Sequence, residues 1–129
     1  MPVNFNVIER AEPGVEGGGN RKFYASAISK GSKGIEELTD RIEKISTVSG
    51  ADIRAVLYAI IDIVPEMLSD GNIVNIGDLG SFRVSISSEG SVTAEEVDSS
   101  HITDARILFR PGNKFDEMLK NLSYEKASA

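Results

Sequence analysis

Ser99, Ser100 and His101, with Asp98 before them and Asp104 after, supply a hydroxyl, an imidazole and carboxylates within one short stretch. Nucleophilic hydrolysis needs those groups converging in a pocket that excludes water, with the imidazole oriented by the acid. Residues this close along an extended segment alternate between opposite faces and meet solvent, so no catalysis is expected from them. The acid pairs Glu36-Glu37, Glu95-Glu96 and Asp116-Glu117 lack the ligand density of a calcium loop. Gly17-Gly18-Gly19-Asn20-Arg21-Lys22 lacks the Gly-x4-Gly-Lys-Ser/Thr spacing that cradles a phosphate. Cysteine is absent, which removes disulfides, thiolate nucleophiles and thiolate metal sites together. The chain therefore reads as non-enzymatic, with no cofactor, no metal and no small-molecule substrate.

Composition narrows the remaining classes. The chain has 129 residues, 40% of them apolar and 26% charged, which is ordinary globular composition and fits one compact domain. No apolar run is long enough to span a bilayer, and the first residues show neither a basic nor an apolar leader segment, so a cytoplasmic location is expected. Net charge is −6. It is unevenly spread: residues 1–33 carry +2, residues 34–72 carry −5, residues 73–110 carry −3 and residues 111–129 balance. The local field at one face governs binding of a polyanion, so this distribution matters more than the sum.

The elements that would position these charges follow from hydrophobic period. Val3, Phe5 and Val7 alternate with Asn4 and Asn6, predicting a half-buried strand. A Gly-rich loop over residues 12–20 leads to a second β-prone stretch at residues 22–28, and residues 29–34 form a polar linker. Ile35, Leu38, Ile42 and Ile45 recur at helical spacing. Ser49, with Asp52 three residues on, resembles a capping box for a second helix over residues 50–69 that is apolar nearly all round. Such a helix needs more burial than one neighbour supplies, and an intersubunit interface is the natural source. Pro65 removes one helical hydrogen bond and is expected to kink or break that helix.

After Asp70-Gly71 come a short strand through Ile73, Val74 and Ile76, a turn at Gly77-Asp78-Leu79-Gly80, and an alternating strand over residues 81–86. Phe82, Val84 and Ile86 share one face of that strand, and Ser81, Arg83 and Ser85 the other. Residues 87–100 read as a polar, acidic loop or exposed arm. Residues 102–109 return as a strand, Pro111-Gly112 ends it, and Phe115, Met118, Leu119 and Leu122 define a terminal helix. Residues 125–129 read as a frayed tail.

This order of elements, with three local motifs, resembles the bacterial HU / integration host factor family of histone-like proteins. The motifs are Glu37-Leu38-Thr39-Asp40-Arg41-Ile42-Glu43 with its Ser49-capped partner helix, Ile76-Gly77-Asp78-Leu79-Gly80-Ser81-Phe82-Arg83-Val84, and Phe109-Arg110-Pro111-Gly112. The second is similar to the family's Gly-Phe-Gly-Thr/Ser-Phe turn, with Asp78 for the first Gly and Leu79 for the Phe. The resemblance covers about residues 35–122. The first 33 residues resemble those of an HU-related subfamily with an added N-terminal strand segment.

The resemblance implies an α+β fold: a helix pair, a three-stranded antiparallel sheet with a β-arm, and a C-terminal helix, assembled as an intertwined homodimer. It divides the chain into an N-terminal β-strand extension at 1–33, an HU-like domain at 34–124 and the tail at 125–129. It also implies architectural, non-sequence-specific binding of double-stranded DNA in the nucleoid, through phosphate and minor-groove contacts. The family's arm is rich in Arg and Lys and carries an Arg-Asn-Pro wedge. Here residues 87–104 hold Glu89, Glu95, Glu96, Asp98 and Asp104, with no Lys, Arg or Pro. DNA contact is therefore expected from the body, through Arg83, Arg106, Arg110, Asn113 and Lys114, with Arg21, Lys22, Lys30 and Lys33 as further cations. The alternative is an HU-derived protein-interaction or structural module with little DNA affinity.

Overall fold

The computed structural model describes residues 2–12 and 14–127. They form two compact units, Met1–Gly34 with Leu119–Ala129, and Ile35–Met118.

In the first unit, β1 (Val3–Arg10) and β2 (Lys22–Ile28) pair antiparallel, with Val7 opposite Ala25. The alternation of Val3, Phe5 and Val7 places all three on one face with Ala25 and Ala27. A third strand, β6 (Tyr124–Lys126), lies parallel to β1 on its other side, giving the order β2-β1-β6. Glu125 and Lys126, expected in a frayed tail, are thus strand residues, and the Ala127 N–H donates to the Phe5 carbonyl at 2.9 Å. The unpaired edge of β1 supplies the hydrogen bonds that a lone tail would lack. Ser128 and Ala129 lie outside the described residues.

In the second unit, α1 (Ile35–Ile45) and α2 (Gly50–Ser69) pack together. Ser49 caps α2, its hydroxyl accepting from the Asp52 N–H at 3.3 Å. Arg54 of α2 reaches Glu36 of α1 through two hydrogen bonds of 2.9 and 3.2 Å. Glu36 holds the Arg54 proton more firmly than usual, by that hydrogen bond first and by its charge second. α2 runs unbroken through Pro65. The proline removes only its own donor. Beyond it the last turn is held by buried Leu68 and by Asp70 and Gly71 N–H groups donating to the Glu66 and Leu68 carbonyls.

The sheet of this unit has the order β3-β4-β5, from β3 (Val74–Asn75), β4 (Gly80–Ser88) and β5 (Ile102–Pro111), all antiparallel. The β4–β5 ladder ends at Ser88 opposite Ile102, after an irregularity at Ser87/Ser88. The expected β-arm is not a strand ribbon here. Residues 89–101 close through two short 3₁₀ turns, Ala94–Glu96 and Ser99–His101. Asp98 caps the second turn, accepting from the Ser100 N–H at 3.0 Å, which gives the chain a local alternative to extended pairing. α3 (Asn113–Lys120) follows β5 directly.

The core of this unit is thin. Ile53, Leu68 and Val74 are its only buried apolar residues among those described; Thr39 is also buried, its hydroxyl donating to the Ile35 carbonyl.

Candidate nucleic-acid interface

In an antiparallel ladder, directly opposed residues project to the same face. The β4–β5 register opposes Ser81 to Arg110, Arg83 to Leu108, and Ser85 to Arg106. Arg83, Arg106 and Arg110 therefore share one face, with Arg83 diagonal to both of the others. Diagonal neighbours in such a ladder lie about 7–8 Å apart at the backbone, so three guanidinium groups fan from one small area. All three are exposed. None has an ion-pair partner among the described residues. Asp104 stands on the same face opposite Ser87 and does not pair with Arg106. Ser81 and Ser85 add hydroxyls between the arginines, and Arg83 and Arg110 line an open hollow with Ser81, Leu108 and Ile73.

The opposite face of the same ladder is apolar: Phe82 opposes Phe109, and Val84 opposes Ile107. The Phe82 and Phe109 rings lie 4.9 Å apart, and Phe115 of α3 meets Phe109 edge-on at 5.9 Å. Those rings tie the start of α3 to the sheet, just beyond Arg110. Asn113 and Lys114 occupy that start, both exposed, where free backbone N–H groups favour an anion.

Two glycines allow this placement. Gly80 sits at φ +141°, and a Cβ there would strike the Arg110 carbonyl; a Cβ on Gly112 would strike the Asp78 carbonyl. The Gly112 N–H donates to the Leu79 carbonyl at 3.0 Å, which fastens the end of β5 to the turn before β4. Replacing Gly112 with alanine is expected to cost about 1–3 kcal/mol, since rigid backbone has to move. Urea unfolding would read this as a lowered midpoint at unchanged slope.

The cations of the N-terminal unit differ. Arg21 pairs with Glu9 at 3.0 Å and Lys22 with Glu12 at 2.9 Å, and Lys33 is also engaged. Two of the further cations, Arg21 and Lys22, are thus held by carboxylates of their own unit.

The hydroxyl, imidazole and carboxylate cluster is a turn cap. Ser100 Oγ donates to Asp98 Oδ1, while His101 Nδ1 lies 3.1 Å from that oxygen and 3.2 Å from the Asp98 nitrogen. Both groups address Asp98 rather than each other. The Ser100 hydroxyl, then the Ser100 N–H, then His101 hold the Asp98 carboxyl below the ordinary aspartate range. A depressed value means the cap is fully formed above that range and loosens as pH falls through the folded-state value. An NMR titration of the Asp98 carboxyl should show a midpoint below that of an unstructured aspartate; a midpoint at or above it would contradict the cap. Among the described residues no group of three or more His, Asp or Glu is placed to hold a metal, and no helix is long and apolar enough to cross a membrane.

The comparisons agree with this architecture. A family model described as an HU domain fused to a wHTH, Ig or glycine-rich motif matches residues 1–126. The chain belongs to the HU-HIG family. Two solved structures share the fold. One is a protein from Bacteroides vulgatus, described as a putative bacterial DNA-binding protein, with TM-score 0.65 and 14% identity. The alignment covers 96% of this chain and 47% of that one, so this HU-HIG chain spans about half the length of that protein. The other is the HU protein of an Anabaena HU–DNA cocrystal, with TM-score 0.51 and 21% identity, covering 69% of this chain and 99% of that one. No curated protein matches the chain.

Proposed function

We propose that this HU-HIG chain binds double-stranded DNA without sequence preference, as a homodimer with an architectural role in the nucleoid. The observation that carries the reading is the convergence of Arg83, Arg106 and Arg110, exposed and without carboxylate partners among the described residues, on one face of the β4–β5 ladder. Free guanidinium groups are the phosphate-binding chemistry that displaces counterions from a duplex. Asn113 and Lys114 would extend the contact at the start of α3. The DNA in the Anabaena HU cocrystal and the description of the Bacteroides vulgatus protein point the same way.

The segment 89–101 is acidic and folded into turns, so the body of the sheet makes the contacts and a minor-groove wedge has no part in them. Little base readout is expected, because arginines spread across a sheet face address phosphates rather than one base edge. The homodimer rests on a separate observation. Val56, Ile60, Ile61, Ile63 and Met67 of α2 and Val84, Ile86, Ile107 and Phe109 of the sheet all stand exposed in the single chain. That is far more apolar surface than a monomer leaves in contact with water.

Fluorescence anisotropy with a random-sequence duplex at two salt concentrations tests the proposal. Binding at about 10⁻⁴–10⁻⁶ M or tighter, with a clearly negative log–log salt slope, is the expected result. No binding at low salt would leave the alternative, a structural module that retains the fold and has lost the polyanion.

A further inference from the structure

We propose that β2 is a docking strand for a second copy of this chain, which pairs with it antiparallel about Ala25 and joins two N-terminal sheets into one. β2 is the outer strand in the order β2-β1-β6, and beyond its ladder to β1 no further hydrogen bond reaches its backbone among the described residues. Exposed edges are normally blunted by proline, by an inward charge or by a bulge, because an open edge recruits another strand. Lys22–Ile28 has none of these; its single charge stands at the first position and its pairing to β1 is regular.

The occupant follows from the strand's own sequence. Antiparallel pairing centred on Ala25 sets Phe23 opposite the partner's Ala27, Tyr24 opposite the partner's Ser26, and Lys22 opposite the partner's Ile28. In the inner pairs, Phe23 with Ala27 and Tyr24 with Ser26, a large residue meets a small one, and no like charges oppose each other. The faces match as well. Phe23 is 71% exposed at one end of the apolar face, and the other end is a shallow groove lined by Val3, Phe5, Ala25, Ala27 and Tyr124. The two-fold pairing carries each Phe23 ring to the partner's Ala27, at the rim of that groove. Both copies gain the same contact, which is the self-complementarity an isologous interface requires. An unrelated strand would have to reproduce this alternation of bulk by chance.

The chain contains no cysteine, so a single introduced thiol reports only on its own position. Ala25→Cys places two thiols directly opposite each other, within the reach of a cross-strand disulfide. Ile28→Cys places them at opposite ends of the paired strands. In the full-length protein under mild oxidation, Ala25→Cys should form the covalent pair at least about tenfold faster than Ile28→Cys. Ala25→Glu, at an exposed position, sets two carboxylates face to face and should lower the mass seen by sedimentation velocity to that of the homodimer proposed above, which β2 pairing would join to further copies, without changing the far-ultraviolet dichroism. Equal crosslinking rates for the two cysteine variants, or an unchanged mass for Ala25→Glu, would overturn the proposal. Neither measurement contains DNA, so the outcome is independent of the polyanion reading.

Discussion

Replacing Arg83, Arg106 and Arg110 together with alanine is expected to abolish measurable binding to random duplex DNA at physiological salt and to weaken it at least about a hundredfold at low salt. The magnitude follows from counterion release. Each phosphate neutralised contributes a salt slope of about −0.9, and the proposed homodimer would present each arginine twice. If all six guanidinium groups sit on phosphates, the triple variant flattens the log–log slope by about five units. Single variants should each remove about two units and weaken all duplex sequences alike if, as proposed, the contacts are to the backbone. The fold should survive: the three side chains are exposed, make no ion pair among the described residues, and lie on the face away from the Phe82–Phe109 contact. A fourth variant provides the contrast. Arg21→Ala removes a cation already paired with Glu9 at 3.0 Å and should leave affinity and slope nearly unchanged. Should Arg21→Ala flatten the slope as much as Arg83→Ala does, non-specific charge rather than this face would be responsible.

Elements whose signal is local could be read from the sequence. Apolar residues at helical spacing, with Ser49 placed to cap, locate α1 and α2, and alternation about Phe82, Val84 and Ile86 locates β4. Of the kink or break expected at Pro65, the break does not occur, because tertiary burial of Leu68 outweighs one missing hydrogen bond. β6 was invisible for a different reason. It is three residues long, and its partner β1 lies at the far end of the chain, so nothing near Tyr124 signals a strand. Residues 87–100 read equally as a loop or an exposed arm, because polar, Ser-rich composition does not distinguish an extended ribbon from capped turns. The site was half legible. Arg83 could be assigned to the polar face of its strand, but its convergence with Arg106 and Arg110 depends on the β4–β5 register. That register is set across a connection whose length in paired residues the sequence does not specify. Residue types named the candidates; pairing decided which of them meet.

Substituting Ile61 with glutamate separates a monomer from an assembled protein more sharply than any change at the arginine face. In the single chain Ile61 is 51% exposed, beside Ile60, Val64, Ile76, Leu79 and Phe82 in an open apolar groove. An exposed apolar-to-charged change on a monomeric helix normally moves stability by less than about 0.5 kcal/mol. If a second copy covers the groove, the same change buries an unpaired carboxylate, and the loss rises to about 3–5 kcal/mol. The thin core makes that loss decisive. With Ile53, Leu68 and Val74 as its buried apolar residues, the unit 35–118 has little stability of its own to draw on. Ile61→Glu should therefore be largely unfolded at micromolar concentration, and the wild-type melting temperature should rise with protein concentration, as it does when folding and association are coupled. Ile45→Glu is the matched control, since Ile45 is 85% exposed at the end of α1 and is not part of that groove. Equal, small effects of the two substitutions would mean that α2 carries its apolar surface in water, and the homodimer would fall with that result.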